Sequence, residues 1–143
     1  GDISGLTREH VRNLIKGSEE HGYCLNRAYL KRKAENAPIT FLTAKPLLAA
    51  CFPQYERIDE PLGGIFLVRR EFALQIPFPS DWGVDVFLTL RALEANSYHE
   101  EEISGISHRK KPIESYIDMS RDVIQTILNY KISQNDHSEG IRQ

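Results

Sequence analysis

Two polar segments, each set before an apolar helix, constrain this chain more than any other feature. Pro77-Phe78-Pro79-Ser80-Asp81-Trp82-Gly83-Val84-Asp85 leads into a run in which Val84, Phe87 and Leu88, with Val86, Leu90 and Leu93, cover two adjoining helical faces, the pattern of a largely buried helix. Ser107-His108-Arg109-Lys110-Lys111-Pro112 leads into Ile113, Tyr116, Ile117, Val123, Ile124, Ile127 and Leu128, apolar at helical spacing over about five turns, with Pro112 at the first helical position. Between them Tyr98 to Ile106 reads as a strand, and its three glutamates at 100–102 suit a sheet edge rather than a sheet centre. Polar clusters at helix entrances beside a sheet are where α/β proteins place their active sites. The expected fold class is α/β, a short mixed sheet packed with helices and closed by a long C-terminal amphipathic helix.

Toward the N-terminus, Thr7 is a helix cap with Leu6 and Val11 at the staple positions, and Leu14 and Ile15 continue one apolar face, so a helix is expected to end near Glu20. No strand is expected before it. Tyr23 to Tyr29 reads as a strand, and Arg27, Lys31, Arg32 and Lys33 as a solvated basic group leading into an exposed loop that ends at Pro38. Thr40 to Phe52 favours a helix in which Pro46 sits in the first turn or makes a kink. Ile65 to Val68 suits a buried strand, and Arg69-Arg70-Glu71 starts a turn or short helix.

The 143 residues suffice for one domain with a real core. A net charge of -2 offers no global attraction to nucleic acid, so anion binding must come from local basic groups and no nucleic-acid partner is expected. Cys24 and Cys51 lie in apolar stretches without metal or redox spacing and read as buried free thiols of a reducing compartment. No apolar run approaches the roughly 20 residues of a membrane span, and the N-terminus has no signal pattern. A cytoplasmic location is expected.

Read as residues alone, several side chains have two meanings. Asp85 in a first helical turn complements the helix dipole or faces a reacting group. Trp82 is core or platform, and His108 a surface histidine or a ligand. Arg109, Lys110 and Lys111 before a helix N-terminus are a solvated turn or an anion site.

The stretch Ile39-Thr40-Phe41-Leu42-Thr43-Ala44-Lys45-Pro46-Leu47-Leu48, then Phe52-Pro53, Pro61-Leu62-Gly63-Gly64 with Arg69-Arg70, Phe78 to Asp85, and Gly105-Ile106-Ser107-His108-Arg109, resembles nucleotide-sugar glycosyltransferases of the glucosyl-3-phosphoglycerate synthase type. The likeness runs from Tyr23 to Leu128 and lies in five weak motifs in one order. It implies the C-terminal portion of a glycosyltransferase A fold. Residues 1–133 would be the acceptor-side part of one domain, with the nucleotide-binding half upstream, and 134–143 a flexible polar tail. It further implies metal-assisted transfer of a sugar from a nucleotide-sugar donor to a small, phosphorylated or carboxylated acceptor.

By the same resemblance, Asp2 is the tail of an acidic Asp-x-Asp motif and joins His108 as a ligand of Mg2+ or Mn2+. Asp85 faces the acceptor hydroxyl or the sugar as the catalytic carboxylate. Trp82 and Asp81 line its pocket, and Thr40, Arg109 and Lys110 meet the acceptor. Three positions depart from the family's pattern: Pro38 stands for an arginine, Lys110 for an asparagine after His-Arg, and Ile65 for an acidic residue. Proline cannot make arginine's bidentate grip on phosphate, so the pattern carries sugar transfer further than it carries 3-phosphoglycerate as acceptor. A second reading is a non-catalytic module whose 27–33 and 108–111 basic groups recruit an anionic ligand or partner. An unpaired sheet edge beside the N-terminus would expose apolar surface, from which self-association is expected.

Overall fold

The computed structural model describes residues 3–109 and 111–140. Its first element is a strand, β1 (Ile3–Ser4), where none was expected; it pairs antiparallel with β5 (Ser107–His108), Ile3 opposite His108. Two-residue strands carry too few residues for an alternation to show, so their pairing is set by tertiary packing. Helix α1 (Arg8–His21) begins at Thr7, whose side chain accepts from the His10 N–H while His10 accepts from the Thr7 N–H. It ends at Gly22, whose φ of 72° is open to glycine without strain.

The central strand β2 (Leu25–Tyr29) pairs antiparallel with β3 (Phe66–Val68) and parallel with β4 (Tyr98–Glu102), giving the mixed sheet β3-β2-β4. β4 is an edge strand, as its glutamates foretell, whereas β3 is the opposite edge and only half-buried. α1 covers one sheet face, where Leu14 packs with Ala28 and Ile103 and accepts a hydrogen bond from Asn26 Nδ2 at 2.9 Å. On the other face Leu25 packs with Ile76, Leu88 and Ala92, through which α4 (Val84–Glu94) is seated.

Between β2 and β3 the chain forms a π-helical turn (Thr40–Ala44) that runs directly into α2 (Lys45–Cys51). Pro46 lacks the N–H that would bond Leu42, and its ring would crowd that carbonyl; the wide turn, closed by Lys45 N–H to Thr40 O, relieves both. A short α3 (Arg70–Ala73) follows β3. The last helix, α5 (Ser115–Gly140), buries Val123, Ile127 and Tyr130 against Leu48 and Phe52 of the α2 region and Val86 and Leu90 of α4.

Two expectations about α5 are corrected. Pro112 does not open it: Ser115, Tyr116 and Ile117 bond back to Pro112, Ile113 and Glu114, a tight i to i−3 turn that delays the α-helix to Ser115. Ile113 and Ile117, counted in the apolar series at helical spacing, are 76% and 69% exposed, because the core-facing line of α5 is Val123–Ile127–Tyr130. Helical backbone also extends over 134–140 of the segment expected as a polar tail. Among the described residues no helix is long and apolar enough to cross a membrane, and both cysteines are free and half-buried.

Candidate active site

A cleft of roughly 210 Å³ opens beside the end of β2. One wall is the π-turn entrance at Pro38, Ile39 and Thr40, another is Gly63-Gly64, and a third is β5 and its continuation, with His108, Arg109 and Lys111. Arg32 and Asn36 complete its polar lining, and Tyr116 and Met119 of α5 form part of its apolar side. Thr40 is buried within it. Among the described residues Arg32, His108, Arg109 and Lys111 converge there and no carboxylate lines the cleft, so this part of it suits a small anion.

The glycine wall is fixed from behind by buried charge. Arg27, expected in a solvated basic group, is fully buried, and this is the largest correction to the reading of single residues. It lies in phase with Leu25 on the inner face of β2, opposite Phe66 and Glu100 in the ladder, and its guanidinium lies 5.1 Å from the centre of the Phe66 ring. One guanidinium nitrogen donates to Gly63 O and approaches Asp85 Oδ1 at 3.7 Å; the other donates to Asp85 O at 3.1 Å. Beside it, Glu60 accepts from Arg32 at 2.5 Å. Glu100 accepts from the Glu60 N–H at 2.7 Å, from the Asp59 N–H, and from the Tyr98 hydroxyl at 2.7 Å. Thr89 donates to Pro61 O at 2.9 Å, and Lys45 pairs with Asp59 at 2.8 Å. Gly63 has no room for a side chain: a Cβ would stand 2.7 Å from Glu60 Cγ and 3.3 Å from Arg27 Cδ.

Burial pushes the Asp85 carboxyl up, against the pull of Arg27 in the other direction. Burial likewise raises Glu60, although Arg32 and Arg27 draw it back. The Tyr98 hydroxyl is held well above its ordinary value by burial and then by Glu100. Asp85 therefore stands half-buried at the start of α4 beside the Arg27 guanidinium, and it is not among the described residues that line the cleft.

The sequence-predicted residues are brought together unequally. Thr40, His108 and Arg109 line the cleft. Asp85 is tied to its glycine wall through Arg27. Trp82 is 51% exposed rather than core, and Lys111 Nζ lies 5.3 Å from its ring centre, which links the segment before α4 to the cleft rim. Asp81 turns away: its carboxylate accepts the Gly83 N–H at 2.7 Å and it lines a separate depression with Arg91 and Tyr130. Asp2 and Lys110 lie outside the described residues. Arg109 and Lys111 stand before the N-terminal side of α5, separated from its first α-helical residue by the tight turn at Pro112–Glu114. Among the described residues no three His, Cys, Asp or Glu side chains form a metal cluster.

Arg27, Glu60, Glu100 and Thr89 were missed. Strand phase could have found Arg27, because a residue two positions from Leu25 in a strand shares its face.

Comparison with known proteins decides the kinship. Glucosyl-3-phosphoglycerate synthase of Mycolicibacterium smegmatis is 32% identical over 108 residues, covering 73% of this chain and 35% of that protein. The chain is a homologue of glucosyl-3-phosphoglycerate synthase. Its structure superposes on that of the Mycobacterium tuberculosis synthase, in complex with Mn2+, UDP-glucose and phosphoglyceric acid, with a TM-score of 0.82 at 26% identity, covering 91% of this chain and 46% of the other. Mannosylglycerate synthase of Rhodothermus marinus is 36% identical over 100 residues, 63% of this chain and 25% of that enzyme. No family model matches. The synthase homologue spans about a third of the length of the curated relatives it matches, and it has the fold of a C-terminal region of a glycosyltransferase A domain, as the sequence motifs imply.

Proposed function

We propose that the protein of which this chain forms part transfers a sugar from a nucleotide-sugar donor to a small phosphorylated or carboxylated acceptor, with residues 1–133 supplying the acceptor side. The observation that carries this reading is the convergence of Thr40, His108, Arg109 and Lys111 on one cleft backed by Gly63-Gly64, in a chain homologous to synthases whose solved complex holds Mn2+, UDP-glucose and phosphoglyceric acid. In the reaction the bond from the sugar's anomeric carbon to the diphosphate breaks and one to the acceptor hydroxyl forms. Arg109, Lys110 and Lys111 hold the acceptor's anionic group, and the Thr40 hydroxyl donates a hydrogen bond to it. Asp85 orients the acceptor hydroxyl or takes its proton. Trp82 borders the same space through Lys111, whereas Asp81 acts through the Gly83 backbone by shaping the entrance to α4.

A divalent cation fits the donor set: His108 is on β5 at the cleft, and its ladder partner Ile3 directly follows Asp2 in sequence. One imidazole and one carboxylate, completed by diphosphate oxygens, suit Mg2+ or Mn2+. When bound it would stabilise the charge that develops on the departing diphosphate.

The test is an assay of the full-length protein for nucleotide release from UDP-glucose and other sugar nucleotides, with 3-phosphoglycerate and with glycerate, in Mn2+ and in chelator. Turnover that depends on metal and acceptor is expected. The absence of both turnover and metal-dependent nucleotide binding would sink the reading and favour a non-catalytic anion-binding module.

A further inference from the structure

Arg27 is the one guanidinium in the described chain that is wholly enclosed by protein and yet touches both halves of the candidate site. Its three contacts are unlike one another. Gly63 O belongs to the wall of the cleft, Asp85 O to the first turn of α4, and Asp85 Oδ1 to the carboxylate that would meet the acceptor. A planar fork with donors in fixed directions can hold a carbonyl on one branch and a helix turn on the other; a flexible ammonium has no such fixed separation. Phe66 stacks against the guanidinium and limits its tilt. Gly63 approaches so closely that any side chain would collide with Glu60 and Arg27.

We infer that Arg27 is a positioning residue, which fixes the Asp85 carboxylate relative to the Gly63-Gly64 wall and so sets the geometry between the acceptor's pocket and the group that acts on it. This rests on the transferase reading for Asp85, but the geometric claim can be tested apart from it. Arg27 of β2 is the charged group that faces the Asp85 carboxylate among the described residues, and Glu60 competes for the same guanidinium charge. Thr89 of α4 bonds the Asp85 carbonyl at 3.0 Å and leaves the carboxylate to Arg27.

The experiment uses the full-length protein and three variants. Arg27→Lys keeps a positive charge and loses the fork, Arg27→Met removes the charge, and Val123→Ala loosens the apolar core at α5 while replacing no cleft-lining side chain. With UDP-glucose, 3-phosphoglycerate and Mn2+, Arg27→Lys is expected to lower kcat/KM by about tenfold to a hundredfold, as a misplaced reacting group does. Val123→Ala should stay within about twofold of wild type at a temperature below its unfolding midpoint. Wild-type kinetics in Arg27→Lys, or equal losses in Arg27→Lys and Val123→Ala, would overturn the assignment.

Should the wild type turn over no substrate, the transferase reading fails and the carboxyl 13C titration of Asp85, assigned by Asp85→Asn, decides the geometric claim. An upward move of the Asp85 titration in Arg27→Met, or in the equally uncharged Arg27→Gln if the methionine variant does not fold, supports it. An unmoved titration overturns it.

Discussion

The two halves of this molecule are held together by different forces. Behind the cleft, segment 59–64 is fixed by directional polar bonds: Arg27 to Gly63, Arg32 to Glu60, Glu100 to two backbone N–H groups, Thr89 to Pro61. Away from it, Leu48, Phe52, Val86, Leu90, Val123 and Ile127 fill one apolar cluster among α2, α4 and α5. Apolar packing depends on volume and tolerates exchange between residues of like size. A polar network depends on each partner and leaves unpaired groups when one is lost. The cleft wall has the more exacting architecture of the two, which suits a surface that must hold a ligand at a fixed place.

Substitutions can break that contrast. The largest effect is expected from Arg27→Met, which leaves Gly63 O and Asp85 without their partner: about 3–5 kcal/mol lost in urea unfolding of the full-length protein. Next is Leu90→Ala, fully buried on the apolar side, at about 3 kcal/mol, with Leu90→Met costing under about 1.5 kcal/mol. If Arg27→Met costs less than Leu90→Met, the two sides are not held differently. Glu100→Ala should cost about 2 kcal/mol, because two backbone donors and the Tyr98 hydroxyl lose their acceptor.

Glu60 gives a pH signature. Its carboxyl is raised above 4.5 in the folded protein, so the folded state binds the proton more tightly than the unfolded chain does. Its favourable share of stability is complete below the unfolded value and is lost as pH rises through the folded value. Unfolding midpoints measured from about pH 4 to pH 7 should therefore fall less steeply in Glu60→Gln than in wild type. An identical slope would remove Glu60 as the cause. The smallest effect belongs to Thr7→Ala, far from both regions, at about 1 kcal/mol for the lost cap of α1, with no change in cleft chemistry.

Much of the frame was legible because it rests on repeated local signals. Thr7 with Leu14 specifies α1, the run from Val84 to Leu93 specifies α4, and the glutamates of β4 point to an edge. Five ordered motifs carried the kinship. The departures have physical causes of another kind. Arg27 follows Leu25 in strand phase but precedes three exposed-looking basic residues, and composition pulled it into their group although phase assigns it to the core. Pro112 is a strong start signal, yet it opens a tight turn, since nothing in a proline distinguishes the first residue of that turn from the first of an α-helix. β1 and β5 are too short to show alternation. Asp85 was legible as a carboxylate at a helix start, but its partner was not, because the two are 58 residues apart and only the fold joins them.

The wide turn at Thr40–Ala44 has a consequence for how this segment can change over time. Its Lys45 to Thr40 bond encloses one residue more than an α-helical turn does. Deleting a single residue there would let the turn close with the ordinary i to i−4 bond, and the segment before it would still enter α2 from the same side. Length variation of one residue can thus be absorbed at this point, beside the cleft, with little disturbance to the hydrophobic interior.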